Sequence, residues 1–218
     1  MERLVCLLIG YLCGLFQTSY LYGKLHKIDI REYGSGNAGT TNALRTMGKK
    51  AGALTLFGDC FKCILAVLIV RTVFAGNYQD YPGMLNLMEM YAAFGCILGH
   101  NFPFYLKFKG GKGVAASVGM ILAVDWRIFL ICAVVFFIIF FFTHYVSLCS
   151  ICTYIAAFIL LVIFGQMGHY GLYGMEQIEM DVVMFLMTVL AVYRHKANIL
   201  RLMNGTENKL YLSKVGKK

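Results

Sequence analysis

Long apolar stretches alternate with shorter polar segments along this chain. A membrane-spanning helix needs about 20 predominantly apolar residues, with a range of ~17–25. Several of the stretches approach or exceed that length, and few charges fall inside them. The pattern therefore predicts an all-α integral membrane protein. The apolar stretches cover residues 4–22, 51–70, 84–98, 114–164 and 182–193.

The stretch 114–164 is too long for a single crossing of a bilayer. It is interrupted at residues 125–127 and again near His144, so three short spans fit there, and two longer ones stay an alternative. With three, the chain has about seven transmembrane helices in one membrane domain, residues 1–218. The composition agrees, because 59% of the residues are hydrophobic and 14% are charged, against roughly 45–50% and about 25% in soluble domains.

Basic residues concentrate in three polar segments, 24–50, 101–113 and 194–218. These segments contain six, three and seven of the 20 Lys and Arg residues. Loops rich in Lys and Arg mark the cytoplasmic side of a membrane protein. Seven crossings bring all three segments to that side, with the N-terminus outside and the C-terminus cytoplasmic. The net charge of +9 therefore indicates membrane topology rather than binding to nucleic acid.

The eight cysteines all lie in or beside apolar stretches. Two pairs, Cys60/Cys63 and Cys149/Cys152, have the C-x-x-C spacing of redox and metal sites. Neither pair has a nearby histidine or a second pair at zinc-binding spacing. We therefore interpret the cysteines as small hydrophobic residues within helices. Motifs for a serine nucleophile, G-x-S-x-G, and for a zinc protease, H-E-x-x-H, are also absent from the sequence, so neither a covalent intermediate nor a metal site is predicted.

The segment from Gly34 to Arg45 combines glycines with hydrogen-bond donors. Three glycines let the backbone approach a ligand closely and expose N–H groups, and Arg45 adds a planar bidentate donor. Together these groups suit an oxyanion such as phosphate. The glycines also match G-x-G-x-x-G, but an apolar span precedes them where a dinucleotide fold needs a strand. A merely flexible loop is the simpler alternative. The side-chain donors are Ser35, Asn37, Thr40, Thr41 and Asn42.

Residues 109–113 read Lys-Gly-Gly-Lys-Gly. Ammonium groups and exposed backbone amides form a second arrangement suited to phosphate, although the spacing of a P-loop is absent. The aromatic run 102–108 is expected at the level of the lipid headgroups. The alternative to phosphate binding is that Lys107 and Lys109 serve only to set the orientation of the chain in the membrane. The charges of the arrangement come from Lys109 and Lys112, and the amides from Gly110, Gly111 and Gly113.

His195, Asn198 and Arg201 share one face if the last helix continues beyond the membrane, because residues three apart are neighbours on a helix surface. A histidine at a membrane boundary is often merely interfacial. Here two other segments suited to phosphate lie on the same predicted side. We therefore take His195 and its two neighbours as candidate functional residues.

Asp59 and Lys62 lie inside the second apolar stretch, three residues apart. Charges within a membrane are costly and usually paired, so we interpret them as an ion pair that supports the loops, with a proton relay as the alternative.

An anion transporter would use such a pair as a pathway and would spread polar residues through the membrane. A protein with only a structural role in the membrane would need no cluster of Gly, Asn, Ser and Arg residues. The polar groups concentrate on one side, which favours catalysis at the interface.

The three polar segments resemble the motifs of the bacterial membrane acyl-phosphate:glycerol-3-phosphate acyltransferases, the PlsY family. Residues 35–45 resemble its S-G-N-x-G-x-T-N-x-x-R signature. Residues 99–115, with Gly-His-Asn-Phe-Pro and then Phe-Lys-Gly-Gly-Lys-Gly-Val-Ala, resemble its second motif, and residues 195–207 its third. Length, span count and loop order also agree. Two positions depart from the family pattern, since Cys63 stands where glycine is usual and Ala116 where threonine is frequent.

The resemblance implies an acyl transfer. A fatty acyl group would pass from acyl phosphate to the 1-hydroxyl of sn-glycerol 3-phosphate, without a covalent acyl-enzyme, a cofactor or a metal. The products would be lysophosphatidic acid and inorganic phosphate. The expected partners are the two substrates and membrane lipid, but not nucleic acid; a monomer fits, and the oligomeric state stays open. The expected location is the bacterial inner membrane, with the active site on its cytoplasmic face.

The resemblance also implies roles for individual residues. A first group would hold the phosphate of glycerol 3-phosphate, a second would shape the same pocket, a third would cradle the acyl-phosphate head, and a fourth would orient the glycerol hydroxyls. The hydroxyl proton would go to His195 as general base or to a phosphate oxygen of the substrate. In this order, the groups are Ser35, Arg45 and Lys109; Asn37, Thr41 and Asn42; Gly110, Gly111, Lys112 and Gly113; and His195 and Asn198, supported by Arg201 and Glu207.

Overall fold

The structure is a computed structural model that describes residues 1–211; the expectations for residues 212–218 lie outside the described residues. Within residues 1–211 the chain is helical and contains no β-strand. The α-helices are α1 (Glu2–Gly14), α2 (Thr18–Leu25), α3 (Thr40–Phe74), α4 (Pro82–Asn101), α5 (Val114–Val124), α6 (Trp126–Thr143), α7 (Val146–Gln166), α8 (Gly174–Arg194) and α9 (Lys196–Met203). Three short 3-10 helices cover Ile30–Glu32, Ala75–Tyr78 and Phe104–Leu106.

Four stretches among residues 1–211 are helical, long and apolar enough to cross a membrane. α5 is apolar as well but has only 11 residues. α4 and α8 have 20 and 21 residues, yet they carry acidic side chains that interrupt the apolar pattern. The all-helical fold with apolar helices of membrane-spanning length is therefore confirmed, and the number and direction of the crossings stay predictions. The four stretches are Glu2–Leu25, Thr40–Tyr78, Trp126–Thr143 and Val146–Gln166.

The two interruptions predicted inside residues 114–164 separate three helices. The carboxylate of Asp125 accepts a hydrogen bond from the backbone N–H of Arg127 at 2.9 Å and so caps the start of α6. At the other break, His144 adopts a left-handed backbone conformation with φ 58° and ends α6. Local signals in the sequence therefore located both breaks correctly.

α8 begins earlier than the apolar pattern indicated. The last apolar stretch begins at residue 182, but the helix already starts at Gly174. The additional turns include Glu179, which forms an ion pair with Arg3 of α1 and accepts a hydrogen bond from the hydroxyl of Tyr91 in α4 at 2.7 Å. Partners on two other helices therefore satisfy a carboxylate that made this part of α8 look polar in the sequence.

α1 and α4 pack closely through glycines. A Cβ atom at Gly10 or Gly14 would overlap the backbone of α4, and one at Gly95 or Gly99 would overlap the backbone of α1. Small residues allow membrane helices to approach in this way. α3 packs against α4 and α5, and α7 packs against α6 and α8. The buried core between these helices is rich in methionine, with Met88, Met90, Met120, Met180, Met184 and Met187.

Gly48 interrupts α3 with a non-helical backbone conformation of positive φ, φ 86° and ψ −176°. The helix is therefore divided into a short N-terminal part, residues 40–47, and the long apolar part that follows. The short part carries Arg45 and three threonines. Because of the kink, residues 40–47 and the long part of α3 run in different directions at the end of the helix bundle.

Candidate active site

Parts of all three basic segments line one cavity of about 2090 Å³. Of the residues selected from the sequence, all but Gly111 lie on its wall, and Ser35, Arg45 and Lys109 are exposed. The tertiary structure therefore brings together the segments that were predicted to share one side of the membrane. The selected residues on the wall are Ser35, Asn37, Thr41, Asn42, Arg45, Lys109, Gly110, Lys112, Gly113, His195, Asn198, Arg201 and Glu207.

Asn42 holds the first glycine-rich loop together. Its buried side chain donates from Nδ2 to the carbonyl oxygens of Ile30 at 3.1 Å and Tyr33 at 2.9 Å. Its Oδ1 accepts from the backbone N–H of Ser35 at 3.0 Å. Gly34 has φ +60°, and a Cβ atom there would overlap Oδ1 of Asn42. Asn42 therefore fixes the backbone that presents Ser35 to the cavity.

The N-terminus of α3 forms the next part of the wall. The helix begins at Thr40 after Gly39, and no side chain caps its first N–H groups. An uncapped helix N-terminus attracts anions. The hydroxyl of Thr40 is buried and has no hydrogen-bond partner within residues 1–211. The Nη2 of Arg45 donates to the carbonyl oxygen of Asn208 at 3.1 Å, so the C-terminal segment adjoins this wall.

The second glycine-rich segment is held from both sides by the protein. The backbone N–H of Gly110 donates to the carbonyl oxygen of Asn101 at 3.2 Å, and that of Gly111 to His100 at 3.0 Å. The two amides that we expected to be exposed are thus engaged inside the protein. On the carbonyl side, Nη2 of Arg194 donates to Gly111 at 2.7 Å and to Gly110 at 3.2 Å.

Sequence reasoning missed Arg194 as the anchor of this segment, because it counted Arg194 only among the basic residues. A guanidinium that holds two consecutive carbonyl groups has no signature in the sequence, since its partners lie more than 80 positions away. The only available signal was its position next to His195. It is part of the same cavity wall.

Asn198 links the second segment to the third. Its Oδ1 accepts from the ammonium of Lys112, and its Nδ2 donates to Glu207 Oε1 at 2.8 Å. Glu207 also accepts from the hydroxyl of Ser147 at 3.0 Å and pairs with Nε of Arg201 at 2.7 Å. Burial alone would raise the pKa of Glu207, but these donors outweigh it and lower the pKa. Ser147 was not selected from the sequence, because it lies in an apolar stretch.

His195 lies between α8 and α9 and is buried. Its Nδ1 is 2.8 Å from the carbonyl oxygen of Ala191, so Nδ1 carries the hydrogen and Nε2 is left as the acceptor. Burial, together with the nearby ammonium of Lys112, lowers the pKa of His195 to about 4. Burial likewise lowers the pKa of Lys112 to about 8. At pH 7 a neutral imidazole therefore faces a predominantly charged ammonium.

The cavity continues from this polar end into an apolar groove between α3, α5 and α6. Apart from Asp59, no charged side chain among the described residues lines this groove. The site is thus cationic at one end and apolar at the other, which matches a molecule with an anionic head and a hydrocarbon tail. The groove is lined by Phe57, Phe61, Val118, Leu122, Phe136 and Phe137.

This frame and this site define an integral membrane protein whose cavity suits an amphiphilic anion. The family model described as glycerol-3-phosphate acyltransferase matches residues 4–205. Among curated relatives, the glycerol-3-phosphate acyltransferase of Clostridioides difficile (strain 630) is 41% identical over 209 residues, 95% of each chain. That of Macrococcus caseolyticus (strain JCSC5402) is 39% identical over 215 residues, 98% of this chain and 100% of the relative. The chain belongs to the glycerol-3-phosphate acyltransferase family.

Two solved structures have the same fold. One is PlsY (YgiH), an integral membrane glycerol 3-phosphate acyltransferase, in its glycerol 3-phosphate form; it covers 100% of both chains with a TM-score of 0.84 and 31% identity. The other is PlsY in its lysophosphatidic acid form, with a TM-score of 0.79, 31% identity, and coverage of 98% of this chain and 97% of that one. The resemblance found in the three motifs is thereby confirmed.

Proposed function

We propose that this protein transfers a fatty acyl group from an acyl phosphate to the 1-hydroxyl of sn-glycerol 3-phosphate, producing lysophosphatidic acid and inorganic phosphate. The observation that carries the proposal is the single cavity with a cationic, glycine-rich end and an apolar groove. Such a cavity accommodates two phosphate heads and one acyl chain at the same time. Related PlsY structures described in glycerol 3-phosphate and lysophosphatidic acid forms support one substrate and one product.

An acyl phosphate suits this site as the donor because it is a mixed anhydride that is already activated. The glycerol oxygen forms a bond to the acyl carbon while the bond from that carbon to the phosphate oxygen breaks, and inorganic phosphate leaves. Aligning two bound substrates can lower the barrier by ~7–11 kcal/mol. Cationic groups that neutralise the leaving phosphate add to this effect. The reaction therefore requires no nucleophile from the protein.

The phosphate of glycerol 3-phosphate is assigned to Ser35, Arg45 and Lys109. All three are exposed on the cavity wall, and the uncapped N-terminus of α3 lies on the same wall. Asn37, Thr41 and Asn42 shape this pocket. The acyl-phosphate head is assigned to Lys112 and to Gly113 at the start of α5, where the cavity leads into the apolar groove. The amides of Gly110 and Gly111 are excluded from this role because they donate to backbone carbonyl groups of the protein.

The glycerol hydroxyl is assigned to Nε2 of His195 and to Asn198. A pKa of about 4 makes His195 a weaker base than a phosphate monoester, whose second pKa is ≈ 6. His195 therefore accepts the hydroxyl hydrogen bond and orients the oxygen, and a phosphate oxygen of the substrate takes the proton. Arg201 and Glu207 hold Asn198 in position.

We also propose that the chain crosses the bacterial inner membrane seven times. The N-terminus then lies outside, and the active site lies on the cytoplasmic face. The turn between α6 and α7 supports this count, since the backbone N–H of Leu210 donates to the carbonyl oxygen of His144 at 2.9 Å. That turn therefore shares the end of the bundle with the cavity. This topology is tested in a cysteine-free variant that carries either His169→Cys or Lys24→Cys. An impermeant maleimide should label His169→Cys only from the outside and Lys24→Cys only from the cytoplasmic side.

The reaction is tested by incubating the purified protein, in detergent or lipid, with acyl phosphate and labelled glycerol 3-phosphate. Labelled lysophosphatidic acid is expected without coenzyme A or acyl carrier protein. Product formed from acyl coenzyme A, but not from acyl phosphate, would contradict the donor assignment. Uptake of phosphate into sealed vesicles without any product would instead support a transporter.

A further inference from the structure

The side chain of Arg31 connects the first basic segment, residues 24–50, to the second, residues 101–113. Its guanidinium pairs with both carboxylate oxygens of Asp29, from Nε at 3.0 Å and from Nη2 at 2.7 Å. The backbone N–H of Arg31 donates to the same carboxylate at 3.1 Å. The remaining nitrogen, Nη1, donates to the carbonyl oxygen of Leu106, 75 positions away, at 3.3 Å. Three of these four hydrogen bonds hold Arg31 within its own segment, and the fourth reaches the other one.

The surroundings of Arg31 keep this side chain in place. Its guanidinium lies over the ring of Tyr20 in α2, 5.1 Å from the centroid, and such a ring attracts a cation. The preceding residue, Ile30, is fully buried, and its carbonyl oxygen accepts from Nδ2 of Asn42. The first segment therefore presents the guanidinium of Arg31 to Leu106 from a fixed position.

Leu106 begins a strained turn that leads to Lys109. Lys107 and Phe108 both have positive φ, 56° and 59°, in the left-handed region that is unfavourable for residues other than glycine. Strained residues persist where surrounding contacts hold them, and they concentrate at functional sites. The carbonyl oxygen of Leu106 closes this turn, because it also accepts from the backbone N–H of Lys109 at 3.2 Å. Arg31 thus binds the atom on which the turn closes.

The turn determines where the side chain of Lys109 enters the cavity. Lys109 lies on the cavity wall, as do Ser35 and Arg45 of the first segment, whereas Arg31 lies outside that wall. A phosphate held by these three residues therefore has ligands from two separate segments. The distance between the segments has to be set by contacts other than those with the ligand, and the bond from Arg31 to Leu106 is such a contact.

We propose that Arg31 is a positioning residue for the binding of glycerol 3-phosphate. It holds the carbonyl group of Leu106, and with it the turn that carries Lys109, in the place that a phosphate bound to Ser35 and Arg45 requires. Arg31 acts through this turn and does not touch the ligand. The role rests on the proposed function, which assigns Lys109 to the phosphate of glycerol 3-phosphate.

Arg31→Gln tests this role. The shorter, neutral side chain loses the pair with Asp29 and the reach to Leu106, so the strained turn is free to relax. We expect the KM for glycerol 3-phosphate to rise about tenfold, the lower limit for the loss of a hydrogen bond from a charged donor. A loss of folded protein would lower the apparent kcat and leave the KM unchanged. An unchanged KM for glycerol 3-phosphate would overturn the positioning role.

The KM for the acyl donor should stay within about twofold in Arg31→Gln. The residues that follow Lys109 are held independently of Arg31, because Arg194 binds the carbonyl oxygens of Gly110 and Gly111. The amides of these two glycines also donate to backbone carbonyl groups at the end of α4. An equal rise in both KM values would contradict a role confined to glycerol 3-phosphate.

A double-mutant cycle shows which segment transmits the effect. Lys109→Ala alone should raise the KM for glycerol 3-phosphate. Adding Arg31→Gln to it should raise that KM by less than about twofold more, because the ammonium that Arg31 positions is no longer present. In a Ser35→Ala background, Arg31→Gln should retain its effect of about tenfold. The reverse pattern would mean that Arg31 acts through its own segment, and it would overturn the proposal.

Arg127→Gln is the matched control. Arg127 pairs with Asp125 through the same atoms, Nε at 2.9 Å and Nη2 at 2.7 Å, and its backbone N–H also donates to that carboxylate. The local interactions lost are therefore the same, but Arg127 stands at the start of α6 and outside the cavity wall. Both KM values should stay within about twofold of the wild type. A tenfold rise in this control as well would overturn the specific role of Arg31.

Thermal unfolding in detergent verifies that each variant is folded. If Arg31→Gln does not fold, Arg31→Lys replaces it, because a single ammonium keeps the charge beside Asp29 but lacks the fork that also reaches Leu106. The Kd for glycerol 3-phosphate, measured by isothermal titration calorimetry without an acyl donor, separates the two levels of failure. If the wild type binds glycerol 3-phosphate but does not use acyl phosphate, the donor assignment is wrong, and the Kd of the variants still decides the positioning role. If the wild type does not bind glycerol 3-phosphate, both proposals are wrong.

Discussion

The Nδ1–H of His195 donates a hydrogen bond to the carbonyl oxygen of Ala191 at 2.8 Å. A carbonyl oxygen can only accept, so this bond fixes the tautomer of the neutral ring and turns Nε2 towards other partners. The bond closes within the last turn of α8 and needs no further residue. His195 therefore presents a fixed acceptor at the polar end of the cavity, beside the ammonium of Lys112.

Substitution of His195 distinguishes an orienting role from a general base. We expect His195→Ala to lower kcat by about a hundredfold, the lower limit of what acid–base groups contribute. His195→Gln supplies an amide oxygen near the position of Nε2 that can accept but cannot take a proton. It should retain kcat within about tenfold of the wild type if a substrate phosphate is the proton acceptor. Steady-state kinetics at saturating substrate measures both.

Equal losses for the alanine and glutamine variants would instead indicate that His195 takes the proton itself. His26→Gln serves as the control, because His26 is exposed at the end of α2 and is absent from the cavity wall. Its kcat should equal that of the wild type. The comparison therefore isolates the ring at position 195.

Lys112 should determine the alkaline limit of activity. Its charged form neutralises phosphate, and burial lowers its pKa to about 8, so kcat/KM should fall as the pH rises through this value. Lys112→Arg keeps its charge beyond pH ~12 and should move that limit upwards, even if the activity on the plateau is lower. An unchanged alkaline limit in the arginine variant would assign the titration to another group. The profile of kcat/KM against pH from 6 to about 10 is the measurement, since kcat/KM reports the free enzyme.

Arg45 should contribute to binding of glycerol 3-phosphate rather than of the acyl donor. Hydrogen bonds to charged groups contribute ≈ 1.5–3 kcal/mol, so Arg45→Ala should raise the KM for glycerol 3-phosphate by roughly tenfold to a hundredfold. Lys49→Ala is the control, because Lys49 is exposed on the next turn of α3 and is not part of the cavity wall. Unchanged saturation by glycerol 3-phosphate in Arg45→Ala would exclude the assigned role.

Glu207 should matter more for stability than its ion-pair partner Arg201. Glu207→Ala leaves Asn198, Ser147 and Arg201 without their acceptor, and each unsatisfied buried group costs about 1–3 kcal/mol. Arg201→Ala removes only one contact of Glu207, and the guanidinium is 36% exposed. Thermal unfolding in detergent should therefore show a clearly larger decrease in Tm for Glu207→Ala. A larger decrease for Arg201→Ala would contradict this order.

The apolar groove should bind the acyl chain. Val118→Trp narrows the groove between α3 and α5, and each methylene kept out of an apolar site costs about 0.8 kcal/mol. Loss of three methylenes would raise the KM for a long-chain acyl phosphate about fiftyfold. A short-chain acyl phosphate should be affected much less. Leu130→Trp is the control, since Leu130 is 51% exposed on α6 and does not line the groove.

Local sequence patterns predicted much of the fold. The breaks at Asp125 and His144 were visible because a charged or polar residue inside an apolar run interrupts a helix where it stands. The start of α8 was not visible, because Glu179 is paired with Arg3, which lies 176 positions away. An acidic residue in a helix and one in a loop look alike until the partner is known.

The residues of the candidate site also fall into two groups, those that the sequence pattern indicated and those that it did not. Glycines, Arg45, the lysines and His195 stand out because their residue types suit phosphate wherever the chain places them. Arg194 and Ser147 do not, since each acts on a residue from another segment: Gly111 and Glu207 respectively. Their residue types have many other uses in proteins. Spatial neighbours alone give them a function in this site.

The sequence by itself determined that this chain is helical, belongs in a membrane, and carries three segments able to bind phosphate. These properties follow from hydropathy, charge and residue chemistry, which act locally. Only the tertiary structure decided which guanidinium holds the carbonyl groups of Gly110 and Gly111, which carboxylate pairs with Arg3, and which hydroxyl donates to Glu207. These properties depend on distances between groups that are remote in the chain, and packing of the helices sets those distances.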